Sequence, residues 1–428
     1  MTARHYAVER RLDWKRFAER YWDRRPVLFR GSGATPYRAE DALRAAARAA
    51  VMPAVDPSAP AIRFALGRRL QPGGAAWAPR PEERSFGDYA RRVAGDARYA
   101  LIVNYLHHFS PEVWRAGSGF FHGLWRQVGL PLSGAITTLF HGSYESTPVG
   151  VHKDRFATFM FPLQGRKRMR FWARRPWDDA VTTRLDYGDY LQASFAIDVE
   201  PGDILYWPAS YYHVGETTDA DYATSVNVGI PRDEHKLLYD LEQFAQAMPA
   251  RNATRRRTRR PEAFGAGGAA LPAGMASAWA RFRQDLGEER LRTAVAAGYL
   301  QLLTGCGFVP APPAQRGRGP GDGELLRLRD RRFPIAWTDL AADRVLCGAG
   351  GHVRGILAGG ERVAGLFRDL NSTGPASVAE LLAPFADAPG AGRAARGMPW
   401  LPADRQGMRA LLGWLAATGA VERMPRSR

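Results

Sequence analysis

Cysteine is almost missing from this chain: Cys306 and Cys347 are the only two in 428 residues. Two thiols cannot build a disulfide framework or a four-cysteine zinc site. No apolar run reaches the ~18 residues that a membrane-spanning helix needs, and the opening MTARHYAVERRLDWKRF has none of the apolar stretch of a cleaved secretory signal. The expectation is a soluble cytoplasmic protein. Lysine is scarce too. Of 60 basic residues only Lys15, Lys153, Lys167 and Lys236 are lysines, so the net charge of +17 is carried by arginine. With Ala, Gly and Pro also abundant, that excess reads as the codon bias of a GC-rich genome, and nucleic acid is not expected as the main partner.

What is present is ample for a folded protein. Apolar residues make up 45% and aromatics 11%, enough for a sizeable core, and 428 residues suggest two or three domains. Residues 1–98 read as a helical or α+β lead-in: Leu12, Phe17 and Tyr21 fall near helical spacing, Pro26 turns the chain into a short apolar run, and EDALRAAARAA at 40–50 is a strong helix former. From Tyr99 the texture becomes short β-like segments separated by Gly, Pro and Asp: YALIVNY, AITTLF, FATFMFPL, RMRFW, FAIDVE, DILYWP and ATSVNVGI. Seven such strands without long intervening helices predict an antiparallel sandwich or barrel over 99–232. Residues 233–305 read as helical, with an Arg/Gly-rich loop at 249–274 that contains the sequon Asn252-Ala-Thr254. Residues 325–428 read as strand, helix, helix, strand, the pattern of a small winged-helix module, with RVLCGAGGHVRGIL as its first strand.

The chemistry concentrates in the β block. His152 and Asp154 are two apart in VGVHKDRF, so on a strand both would face one ion. His213, in PASYYHVG, follows a Pro-Gly-Asp turn and an apolar strand, and in a closed β fold it could return beside the first pair. Two imidazoles and one carboxylate on one face are the ligand set of non-haem Fe(II) oxygenases. His-x-Asp by itself is a weak motif that a surface pair would also produce. His107, His108 and His141 lie in the same block without a carboxylate at ligand spacing.

The segments NYLHHFSPEVW, TTLFHGSYESTPVGVHKDRFATFMFPLQGRKRMRFW and VEPGDILYWPASYYHVGETT resemble a JmjC-type domain of the cupin superfamily, especially the bacterial ribosomal-oxygenase and cupin-like hydroxylase branch. The lead-in FAERYWDRRPVLFRG is similar as well. The resemblance implies a double-stranded β-helix (jelly-roll) core in a mixed α and β chain, and an enzyme that uses Fe(II), 2-oxoglutarate and O2. Carried over by position, it makes His152, Asp154 and His213 the metal ligands. Lys167 becomes the cation for the far carboxylate of 2-oxoglutarate, with Asn227 and Thr158 as further cosubstrate contacts and Tyr144 and Asn104 as pocket residues. Arg168 and Arg170 compete with Lys167, although a regular strand turns Arg168 to the opposite face.

The flanks bear on substrate. The order of helical segment and terminal module resembles the ribosomal oxygenases, which implies a ribosomal-protein substrate and a homodimer built on an apolar helix face at 276–303. The terminal module also resembles the leader-peptide-binding modules of ribosomal-peptide pathways, which implies a natural-product precursor peptide. Two readings stand beside hydroxylation of a protein or peptide side chain. One is a winged-helix DNA-binding regulator with a metal-sensing or inactive cupin core, and the other is a cupin enzyme acting on a small molecule. For the last, activity in a chain cut after about residue 232 would be the expected sign.

Overall fold

The β-rich stretch from Tyr99 onward folds into two facing sheets. The computed structural model describes residues 5–55, 59–93, 98–144, 147–218, 222–232, 287–315, 317–357, 360–372, 374–386 and 400–424. Two units are distinguished, Met1–His235 with Gly305–Pro313, and Lys236–Thr304 with Ala314–Arg428.

In the first unit the strands are β1 (Ala7–Glu9), β2 (Val27–Phe29), β3 (Ile62–Leu66), β4 (Arg69–Leu70), β5 (Tyr99–Asn104), β6 (Ile136–Gly142), β7 (Phe156–Gln164), β8 (Lys167–Trp172), β9 (Phe195–Val199), β10 (Ile204–Trp207), β11 (Tyr212–Thr217) and β12 (Ala223–Pro231). The larger sheet runs β1-β2-β10-β7-β12-β6-β5-β3-β4 and the smaller β11-β8-β9. From β7 to β12 the chain visits the large sheet, then the small one twice, then large, small and large again. That alternation, with antiparallel pairing from β6 to β10, is the double-stranded β-helix. Met160, Leu205 and Trp207 of the large sheet meet Met169, Phe171, Ile197 and Val199 of the small one in a single buried cluster.

Strand β7 is apolar nearly throughout because both of its faces are covered. Met160 faces the small sheet, while Phe159 lies 5.2 Å from the rings of Phe17 and Phe121 on helices α1 (Trp14–Arg20) and α4 (Pro111–Val128); α2 (Ala39–Ala49) and α3 (Phe86–Val93) come between them in the chain. Local chemistry sets where α1 and α4 begin. The Asp13 carboxylate accepts from Arg16 N at 2.8 Å, and the Ser110 hydroxyl accepts from Val113 N ahead of Pro111 at the first helical position. Within the lead-in, β1 and β2 extend the large sheet beyond β10. The join is held by Asp203 of the Pro-Gly-Asp turn, which is buried and accepts from the Arg30 guanidinium, Gly31 N and Glu200 N.

The jelly-roll unit does not end at 232. Phe308 is fully buried, Trp114 Nε1 donates to its carbonyl at 3.0 Å, Trp125 Nε1 donates to Cys306 O at 2.8 Å, and Ala135 N donates to Gly307 O at 2.7 Å. Residues 305–313 are therefore a returning plug under α4. A chain cut after 232 loses part of its core, so it cannot distinguish a small substrate from a large one. The sequence carries no sign of this return, because it is made by main-chain carbonyls, of Cys306 and Phe308, that serve two buried indoles.

In the second unit, helix Glu288–Thr304 packs on the sheet β14-β15-β16-β18, where β14 is Ala336–Ala341, β15 Arg344–Ala349, β16 His352–Leu357 and β18 Trp400–Pro402. A Cβ on Gly348 of β15 would stand 2.9 Å from Leu300 Cβ, which shows how closely the helix lies. A second sheet, β17-β13-β19, contains Leu325–Leu328 (β13), Ala376–Ser377 (β17) and Val421–Met424 (β19). Helices Glu361–Asn371, Val378–Leu382 and Arg405–Ala417 share its core. The segment RVLCGAGGHVRGIL is a hairpin of β15 and β16 rather than one strand, because Gly350 and Gly351 both take positive φ, 55° and 75°. The expected loop at 249–274, its sequon and the start of the helix at 276–303 lie outside the described residues. Among the described residues, no helix is long and apolar enough to cross a membrane, and both cysteines are buried.

Candidate metal centre

His152 and His213 are backbone partners. His152 N donates to His213 O at 3.2 Å and His213 N to His152 O at 2.8 Å, which joins the segment before β7 to β11 by a single bridge. The expected regular strand through Asp154 is not there. Pairing stops at His152, and Asp154 reaches the site from the turn that follows. The three side chains nevertheless converge: one ligand atom from each lies within 4.8 Å of the others. Asp154 Oδ1 is 3.5 Å from His152 Nε2, and its Oδ2 is 3.6 Å from His213 Nε2.

The imidazole orientations follow from the backbone. His152 Nδ1 is 2.9 Å from Gly150 O and His213 Nδ1 is 3.4 Å from Tyr211 O, in each case the carbonyl two residues earlier. Donation from Nδ1 leaves both Nε2 lone pairs aimed at the carboxylate, the tautomer a cation requires. Burial, reinforced by the neighbouring His152, lowers His213 to about 4, so at neutral pH it holds a free lone pair. Burial would also lower His152, but the adjacent Asp154 carboxylate outweighs it and raises the pKa. For Asp154 burial raises the pKa and is overcome by the two histidines, leaving the carboxyl below its ordinary range.

A second group sits deeper between the sheets. Lys167 of β8 is 2% exposed, and Nζ donates to the Ser225 hydroxyl of β12 at 2.9 Å. The faces of Phe140 and Tyr144 each lie 5.4 Å from the amine. Ser225 Oγ in turn donates to Asn227 Oδ1 at 3.3 Å, so Asn227 joins this group through Ser225. Arg168 and Arg170 do not compete: they pair with Asp198 and Glu216, on the opposite parity of the strand. Burial without a charged partner lowers Lys167 to about 7. Among the described residues, the buried hydroxyls of Tyr144 and Thr147 have no hydrogen-bond partner. A buried amine without a counter-ion, beside a tyrosine whose hydroxyl is idle, fits a bound anion.

The remaining expected residues are placed as follows. Thr158 is buried on β7 opposite Trp207 and Gly229, and no contact links it to Lys167. Asn104 closes β5 and accepts from Thr138 Oγ1 at 3.2 Å, a strand-to-strand bond apart from the three-ligand cluster. His141 has both ring nitrogens engaged, by Tyr99 Oη at 2.7 Å and Thr224 Oγ1 at 2.8 Å. His107 Nδ1 lies 2.8 Å from Thr137 Oγ1 in the core. Sequence reasoning missed Ser225, although TSVNVG carries the signal: Ser225 is two residues before Asn227 and so on its face. It also missed Trp207, whose ring lies 5.1 Å from that of His213.

A search of curated proteins finds no match. Among solved structures the chain is similar to Escherichia coli YcfD, at 17% identity over 96% of this chain and 98% of that one, with a TM-score of 0.47. A second similar structure, of YcfD, a ribosomal oxygenase from Escherichia coli, in complex with cobalt and 2-oxoglutarate, matches at 16% identity over 97% and 99% of the two chains, TM-score 0.46. The family model described as the JmjC domain matches residues 128–235. That span runs from the end of α4 through β12 and encloses His152, Asp154, Lys167 and His213. The part of this chain that builds the three-ligand cluster thus lies within the stretch that is similar to the JmjC domain.

Proposed function

We propose that this chain is an Fe(II)- and 2-oxoglutarate-dependent oxygenase that hydroxylates a side chain of a protein or peptide. The observation that carries the reading is the paired arrangement inside the stretch that is similar to a JmjC domain. Two imidazole Nε2 atoms and one carboxylate converge at one point, and a buried amine without a counter-ion lies in the same interior.

His152, Asp154 and His213 would hold the metal on one side and leave its other positions open. Lys167, with Tyr144 as a further donor, would receive the far carboxylate of 2-oxoglutarate, and the Ser225–Asn227 pair would hold the amine in place. Bound there, iron and 2-oxoglutarate supply the oxidising power toward an unactivated C–H bond. The chain's own work is placement: the fixed tautomers keep lone pairs on the metal side, and the apolar wall of Met160, Met169, Phe171 and Trp207 keeps water from the reacting region. A polypeptide substrate fits a chain that devotes residues 325–428 to a further module, which we read as a winged-helix-like peptide or protein binder.

The test begins with capture of the substrate by His213→Ala protein from lysate of the source organism. The captured polypeptide is then incubated with wild type, Fe(II) and 2-oxoglutarate. The expected result is succinate formed in proportion to polypeptide that gains one oxygen atom, and neither product with Asp154→Ala. Full turnover in Asp154→Ala would overturn the site. A captured ribosomal protein or a captured precursor peptide would each name the substrate, and nucleic acid alone would favour the regulator.

A further inference from the structure

The segment that carries His152 is paired on both sides. On one side is His213; on the other is Arg184, from the excursion between β8 and β9. Val151 N donates to Arg184 O at 2.8 Å and Arg184 N to Val151 O at 3.0 Å, a second single bridge back to back with the first. Gly150 lies so near that a Cβ there would stand 2.5 Å from Arg184 O. Without Arg184, the two residues before His152 would have no strand on that flank.

The excursion is itself locked. The Arg184 guanidinium lies 5.3 Å from the Trp177 ring and 5.4 Å from the Tyr190 ring, and it is ion-paired with Asp179. The Trp177 indole donates to Val181 O and the Trp172 indole to Tyr190 O, both at 2.8 Å. Trp172, Trp177 and Val214 pack around Val151 in one buried cluster.

We infer that Arg184 is a positioning residue for the metal centre: its side chain, held between Trp177 and Tyr190, fixes the main chain that aims His152. The inference rests on the reading of His152, Asp154 and His213 as metal ligands. Its physical basis is that an outer partner which orients a ligand is typically worth about 10–100-fold in metal affinity. The bridge is one residue long, so no neighbouring ladder can hold its register if the side chain lets go.

The experiment is a titration of metal-free protein with Co(II), followed by the visible absorption bands of the bound ion, on wild type, Arg184→Ala and Arg184→Lys. Those bands report ligand geometry, which a change in overall stability alone would leave in place. The expected result is a Kd raised about tenfold or more in Arg184→Ala, with shifted bands and unchanged far-ultraviolet dichroism. Arg184→Lys, which keeps the charge but not the planar face, should fall between the two. Wild-type Kd and bands in Arg184→Ala overturn the inference and leave the metal site intact. If the alanine variant does not fold, Arg184→Lys and Arg184→Gln decide, and wild-type Kd and bands in both overturn it. Failure of wild type itself to bind Co(II) overturns the metal reading and this inference with it.

Discussion

The Lys167 amine of one sheet donates to the Ser225 hydroxyl of the other, 2.9 Å away, and has no carboxylate partner among the described residues. The groups facing it besides Ser225 are the rings of Phe140 and Tyr144; His141, on the other face of β6, has its pKa lowered first by burial and further by the lysine charge. A site that is electrically incomplete without its ligand should show that in its pH dependence.

Burial lowers Lys167 to about 7, so above that pH the ligand-free protein carries a neutral amine. A dicarboxylate binds the charged form and must then bring a proton with it. The affinity for 2-oxoglutarate, measured by calorimetry on Co(II)-loaded protein, should fall as pH rises from about 7 to 9, by up to about tenfold per unit. Calorimetry in buffers of different ionisation enthalpy should show proton uptake, and Lys167→Met should show neither effect.

The same amine bears on stability. The folded pKa is about 7 against an ordinary 10.5, so between those values the unfolded chain binds one more proton. Wild-type stability should therefore rise with pH across that window, and the penalty is fully present below about 7. Lys167→Met lacks the penalty, so its Tm should exceed that of wild type most at about pH 6.5 and converge near 10, a difference on the order of a few kcal/mol at the low end. A methionine variant less stable than wild type at every pH would contradict this.

Gly150 has φ +72°, and a Cβ there would collide with the Arg184 carbonyl at 2.5 Å. Gly150→Ala must strain the backbone or part the bridge, at a cost of about 1–3 kcal/mol. Thermal melts should show that loss. Co(II) titration should show weaker binding, because the displaced segment is the one that carries His152.

Asp203 is 1% exposed and answers three donors, Arg30, Gly31 N and Glu200 N. Asp203→Ala leaves two backbone N–H groups unpaired where β2 meets β10, which should cost about 2–4 kcal/mol. Chemical denaturation should register it as a lower midpoint. Arg168→Ala, which removes an exposed pair with Asp198, should move the midpoint by well under 1 kcal/mol.

The plug at 305–313 makes a prediction about deletion. Phe308→Ala empties a fully buried aromatic position and should cost about 3–5 kcal/mol. A chain ending at residue 232 should lose its cooperative thermal transition.

The strands were legible because β-branched and aromatic runs bounded by Gly, Pro and Asp have no better alternative. FATFMFPL, DILYWP and ATSVNVGI are β7, β10 and β12 almost to the residue. The cluster of His152, Asp154 and His213 was also legible, but for a partly mistaken reason: it needs one bridge and a turn, not a strand through Asp154. Arg184 was not legible, since a single bridging residue in RRPWDDAVTTRLDYGDY has no periodicity to betray it. Nor was the plug, whose role is carried by main-chain carbonyls that any residue possesses. Lys167 could be told from Arg168 by alternation, whereas its isolation from carboxylates is a property of the packed interior alone.

The plug also places a condition on how the molecule is made. A growing chain has finished β12 by Pro231, yet the residue that closes the floor beneath α4 is Phe308. At about 5–20 residues per second, several seconds of synthesis separate the two. Through that interval the indoles of Trp114 and Trp125 lack their carbonyls and the apolar layer beneath α4 stays uncovered, so the core outside the large sheet is completed only well after the last jelly-roll strand has been made.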